Sequence, residues 1–224
     1  MLTALLFSQI AMAAPQEYKF SQADSLLYVK VYKRTDTIGA GAAHNHAIQA
    51  QSWHGNATWD ASDASTCSFS FSVPVMNLIL DQTKMRKIAG LKGEVTDSQR
   101  AEIKENMLSE PQLNGDKYPN ISFASTSCEA SGDKVVLNGD FTLRGKTNPV
   151  KIPVTISVDD ILNIKGSFEV KATDYGFEPY SALFGAVANK DAMEIHFDLK
   201  TRPQKKVPAV EEVVVPEEEV TPAE

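Results

Sequence analysis

His44-Asn45-His46 is the sharpest local feature of the chain, because side chains at i and i+2 of a strand point to the same side. Such a pair can grip one metal ion, with His54 as the candidate third ligand. No Asp, Glu or Cys cluster adjoins it, and two ligands fall short of any zinc site. The competing assignment is that the two rings make strand-end hydrogen bonds. His196 alternates with Glu194 and Asp198 on the polar side of the last strand and reads as solvated. No Ser or Cys sits in a nucleophile elbow, and no glycine-rich phosphate loop follows a strand. Asp159-Asp160 reads as a turn and Glu217-Glu218-Glu219 as tail, so neither is an acid–base pair. The residues therefore argue against an enzyme, and they assign no metal or cofactor.

Cys67 and Cys128 are the only cysteines, and an even count suits a disulfide in an oxidising compartment. Cys67 opens one predicted strand and Cys128 closes the next, as antiparallel partners would. Face parity is against the pair: Cys67 shares the side of Phe69 and Phe71, but Cys128 is out of phase with Ile121 and Phe123 unless a bulge intervenes. The bridge is left open on these grounds.

The elements that must position these residues are strands. Lys134–Val158 (KVVLNGDFTLRGKTNPVKIPVTISV) alternates apolar and polar residues on both sides of Arg144–Asn148, a polar connection ending at Pro149. Further strands are predicted over Ser25–Lys33, His46–Gln51, His54–Asp60, Thr66–Val75, Ile121–Glu129, Leu162–Lys171 and Ala192–Thr201. Asn77–Tyr118 breaks the pattern with two helical pieces, the second opened by a capping box at Thr96-Asp97-Ser98-Gln99 and carrying a narrow seam of Ile103, Met107 and Leu108. An excursion of that length is a lid or a plug.

The expected fold class is therefore all-β: an antiparallel, lipocalin-like up-and-down barrel of about eight strands, with a helical excursion between strands. Phe69, Phe71, Phe123, Phe141, Phe168 and Phe197, with Ile152 and Val154, would point into it. They either fill a solid core or line a cavity for one greasy, elongated ligand.

The ends of the chain differ from its middle. Residues 1–13 carry a short apolar run and an Ala11-Met12-Ala13 box, the form of an export signal. Residues 203–224 hold four prolines, and six Glu against two Lys give them −4 of the total −7. That composition reads as a disordered acidic tail. Negative net charge argues against a nucleic-acid partner, and no apolar run after the N-terminus is long enough to span a membrane.

Several motifs resemble one family. Gly139–Val150 (GDFTLRGKTNPV) is similar to the G-D-L-T-L-x-G-x-T-x-P-V hairpin of YceI-like polyisoprenoid-binding proteins, and Tyr118–Thr126 (YPNISFAST) to their yP-x-I-x-F-x-S-T strand. Asn106-Met107-Leu108 falls where the family has a short motif, and His44-Asn45-His46 with Gly55 is similar to the G-H-x-H form of one branch. The resemblance covers residues 18–202. It implies an exported, periplasmic or secreted barrel that binds or carries a polyisoprenoid or isoprenoid-quinone-like lipid without catalysis. The alternatives are a metal-associated protein using His44 and His46, or a ligand-free envelope-stress or partner-binding barrel. A homodimer is left open.

Overall fold

The computed structural model describes residues 16–202. The expected export signal and acidic tail lie outside them. Arg144 and Gly145, at φ 50° and 71°, form the whole turn of the central hairpin, with Leu143 paired to Lys146. Two residues at positive φ match the twist of the flanking strands, so Lys146–Asn148 join the ladder where a longer connection was expected. Pro149 and Pro153 sit inside that strand, opposite Asp140 and Val136. Pairing on the strand's other side begins only at Val154, which leaves room for residues without an N–H.

The strands are β1 (Gln16–Lys19), β2 (Leu26–Lys33), β3 (His46–Ala50), β4 (His54–Trp59), β5 (Ser68–Pro74) and β6 (Leu78–Leu80). They continue with β7 (Asn120–Ser131), β8 (Lys134–Leu143), β9 (Lys146–Val158), β10 (Leu162–Lys171), β11 (Ser181–Ala182) and β12 (Val187–Lys200). The order across the sheet is β1-β4-β5-β7-β8-β9-β10-β12-β2-β3-β6, with β11 pairing β12. Every pairing is antiparallel.

β5 and β6 are one run of chain, broken by a 3-10 turn at Val75–Asn77. β5 pairs with β4 and β7, while β6 pairs with β3, so the far end of the sheet returns to its third strand. Taken as one wall strand, β5–β6 makes eight around the curl among the described residues. Phe20 reinforces the closure by bridging to Thr201 and donating its N–H to the Gly55 carbonyl at 3.3 Å. The expected lipocalin-like antiparallel barrel is the fold found.

The parity conflict at the cysteines is resolved by a bulge. The β7–β8 register slips between Ser125 and Ser127, so one extra residue lets Phe123 and Cys128 both face inward. Cys67 and Cys128 are disulfide-bonded, with Cα atoms 6.0 Å apart.

Two helices lie between β6 and β7: α1 (Thr83–Ile88) and α2 (Asp97–Leu108). The capping box at Thr96 and Gln99 opens α2 as the sequence predicts. No helix among the described residues is long and apolar enough to cross a membrane.

One half of the interior is closed. Trp53, Ile152, Val154, Leu162 and Ile164 are almost fully buried there. Glycines make space for rings: a Cβ on Gly139 would lie 2.6 Å from the Phe123 ring, and one on Gly166 2.8 Å from Phe197. The alternation that brings Gly139 and Gly166 inward is thus part of how six phenyl rings fit one barrel.

Candidate functional site

The other half of the barrel holds a cavity of about 350 Å³. Strands β2, β3, β5, β6, β7, β8, β10 and β12 contribute to its wall together with neighbouring loops, and α2 lies across it with Gln99, Glu102, Ile103, Asn106 and Met107 in the lining. Those α2 positions recur at i, i+3, i+4, i+7 and i+8, one face of a helix. The excursion therefore covers the cavity with a face of mixed polarity, Gln99, Glu102 and Asn106 beside Ile103 and Met107.

Arg144, at the tip of the hairpin, fastens this cover. Its guanidinium donates to the carbonyls of Glu110, just beyond α2, at 3.0 Å and of Gly176 at 2.6 Å. It also lies over the rings of Tyr118 and Phe177, 5.7 and 5.8 Å from their centroids. A turn to which sequence assigned no chemistry proves to be a structural latch.

Sequence reasoning named eight inward residues. Phe71 and Phe141 line the cavity, while Phe69, Phe123, Ile152, Val154, Phe168 and Phe197 pack in the apolar core outside its lining. Phe168 is only half-buried and meets Phe141 edge-on at 5.3 Å. Much of the remaining lining was not singled out as site, including Leu27, Ile48, Leu80, Phe177, Met193 and Ile195. Alternation along the last strand turns Met193 and Ile195 inward, while the other four carry no such mark; no signal gives the height of any of them in the barrel.

The histidines enter the site through a buried ionic cluster. Asp81 follows β6 with a fully buried side chain and accepts from His46 Nδ1 at 2.6 Å, the Ala47 N–H at 3.0 Å and Arg86 at 2.6 Å. Burial pushes the Asp81 carboxyl up, but these hydrogen bonds and the neighbouring charges outweigh it and hold the group below the ordinary carboxylate range. Arg86 also donates to the carbonyls of Asn45, Gly93 and Lys92, tying α1 and its following loop to the start of β3. Spacing gave no hint of this cluster, since Asp81 lies 35 residues from His46.

His44 and His46 both line the cavity, with ring centroids 6.4 Å apart. His54 is exposed on β4, whose sheet neighbours are β1 and β5, away from β3. Among the described residues no three His, Cys, Asp or Glu side chains converge as metal ligands. Instead, His46 is oriented by Asp81. Burial, followed by the charges of His46 and Arg86, pushes the His44 imidazole below its usual value. Neutral His44 offers the cavity one donor and one acceptor. A proton-NMR titration should find His44 titrating below a free imidazole, and Arg86→Met should bring it back toward that value. Titration at or above the ordinary value would contradict the arrangement. His196, expected to be solvated, instead stacks on Tyr28 at 5.1 Å and bonds Glu194 at 3.1 Å.

A curled antiparallel barrel, closed at one end by phenyl rings and holding an apolar cavity at the other, defines the lipocalin-like class. The YceI family model, a YceI-like domain, matches residues 31–201, and the chain belongs to that family. BcnA of Burkholderia cenocepacia superposes with a TM-score of 0.60 over 81% of this chain and 98% of that one, at 17% identity, a likeness of fold. A UPF0312 protein of Pseudomonas putida is 28% identical over 156 residues, 69% of this chain and 68% of that protein. A UPF0312 protein of Photorhabdus laumondii is 41% identical over 64 residues, 29% of this chain, and the match spans 31% of that relative's length.

Proposed function

We propose that the protein binds or carries a long apolar amphiphile, a polyisoprenoid or isoprenoid-quinone-like lipid, without catalysis and outside the cytoplasm. The observation that carries this reading is the cavity: largely aliphatic and aromatic walls, with polar side chains from α2, Gln112, the start of β3, and Asn189 and Lys190 of β12. Phe71 and Phe141 are the proposed contacts from the inward phenyl set, joined by Ile48, Met193 and Ile195. The other six named residues pack in the core beyond the cavity lining and are not proposed as contacts. His44 and His46 stand where a hydroxyl or carbonyl head could be received.

Size limits what is buried. A cavity of about 350 Å³ lies at the low end of ligand pockets, which run from about 300 to 1,000 Å³. It takes a segment of a polyprenyl chain, and the remainder stays outside the cavity. Burying about 500 Å² of apolar ligand gains roughly 12 kcal/mol gross. Association costs around 4–15 kcal/mol, so affinity depends on the cavity being preformed.

Lipids extracted from the purified native protein and analysed by mass spectrometry should include prenyl species. Met193→Trp, which fills the cavity from a half-buried position, should retain the fold by circular dichroism and lose that cargo. A barrel that is consistently empty and takes up no prenyl lipid would sink the proposal.

A further inference from the structure

Three large apolar side chains have no packing role. Ile38 is 98% exposed, Leu183 73% and Phe184 112%. The two loops that carry them adjoin, because the Gly39 N–H donates to the Ala186 carbonyl at 2.9 Å. A Cβ at Gly39 would meet that same oxygen at 2.6 Å, so the approach requires glycine.

The second loop is held in an unfavourable shape. Leu183, Phe184 and Gly185 run consecutively at φ 51°, 56° and 87°, closed by the Ala186 N–H donating to the Leu183 carbonyl at 3.1 Å. Two successive non-glycine residues in the left-handed region oppose the steric preference of L-residues. The strain places Phe184 in solvent, where folding gains nothing, and strain of that kind points to a use outside the fold. On a chain of net charge −7, residues 37–43 and 179–189 contain no charged side chain. Both segments also feed the cavity wall, through Ala42, Ala43, Tyr180 and Val187.

We propose that Ile38, Leu183 and Phe184 form a prong that inserts into the interfacial layer of a lipid bilayer and sets the rim of the cavity against it. The occupant follows from shape and charge. Three projecting side chains fall far short of the roughly 800 Å² per partner that a stable protein interface buries, which disfavours a second copy. Uncharged loops enter a headgroup layer without stripping water from a carboxylate. Arg34 is paired with Asp36 and Lys190 lies over the Tyr32 ring at 5.9 Å, which leaves the three apolar side chains as the main drive for docking. The inference extends the lipid-carrier reading by naming the surface from which the cargo is exchanged.

Flotation of the full chain with phosphatidylcholine vesicles, and with mixed phosphatidylethanolamine–phosphatidylglycerol vesicles, tests it. The wild type should float with both at any moderate salt. Phe184→Asp and Leu183→Asp should each weaken partition by about tenfold or more. Absence of flotation, or aspartate variants that float like wild type, would overturn it. So would gel filtration in which Phe184→Asp converts a dimer to a monomer, which assigns the prong to a second copy. Uptake of a detergent-dispersed prenyl alcohol is measured in parallel. Phe184→Asp should match wild type there, so lost docking with intact uptake isolates the prong. Intact docking without uptake would remove the carrier reading and leave the prong standing.

Discussion

Arg86→Met is expected to cost about 3–5 kcal/mol of folding stability, because it strands a buried carboxylate. Methionine keeps most of the stem volume, so the loss is electrostatic rather than a cavity. Asp81 would retain His46 and the Ala47 N–H, while the carbonyls of Asn45, Gly93 and Lys92 would lose their common donor. Asp81→Asn in the Arg86→Met background should recover stability, since a neutral amide leaves no charge uncompensated. Asn also tolerates the left-handed φ of 50° at this position. The folded Asp81 carboxyl lies below its unfolded value. On acidification the unfolded chain takes up this proton first, so the stabilisation is complete above about pH 4 and is lost as pH falls through the folded value. The gap between wild type and Arg86→Met should therefore narrow below about pH 4. Urea unfolding across that range decides the matter. A loss under about 1 kcal/mol, or no recovery with Asn, would show that the cluster is not electrostatically coupled.

How much of this was legible in the sequence depends on whether the signal was local. Alternation over Lys134–Val158 located two strands, and Thr96 with Gln99 located the start of α2, because both patterns are written within a few residues. Alternation sets which face a side chain takes and says nothing of its depth along the barrel. Phe69 and Phe71 share a face, yet only Phe71 lines the cavity. A bulge is equally silent: Ser125-Thr126-Ser127 offers three small polar residues, and the extra one is visible only against the pairing of β8. The Asp81–His46–Arg86 cluster joins the end of β6, the start of β3 and α1, so no window of sequence contains it. His44-Asn45-His46 was legible as unusual, while its orientation by a distant carboxylate was not.

Removing the disulfide, by Cys67→Ser with Cys128→Ser, is expected to cost about 4 kcal/mol. The cross-link closes a loop with a sequence separation of 61, and the entropy withheld from an unfolded loop of that size sets the figure. It fastens the entry to β5 to β7 just beyond the bulge, where one extra residue weakens the ladder. Both cysteines are buried, so lost packing is the competing cause of any change. Reduction of the wild type separates the two, because a thiol opens the loop and removes no side chain. Equal losses in guanidinium unfolding for the reduced wild type and the double variant would assign the effect to loop closure. A shift under about 1 kcal/mol on reduction would refute it. Neither cysteine lines the cavity, so prenyl uptake should survive in the double variant wherever it remains folded. A bridge of this weight forms in an oxidising compartment, and protein made in a reducing cytosol should match the double variant in stability and the wild type in uptake.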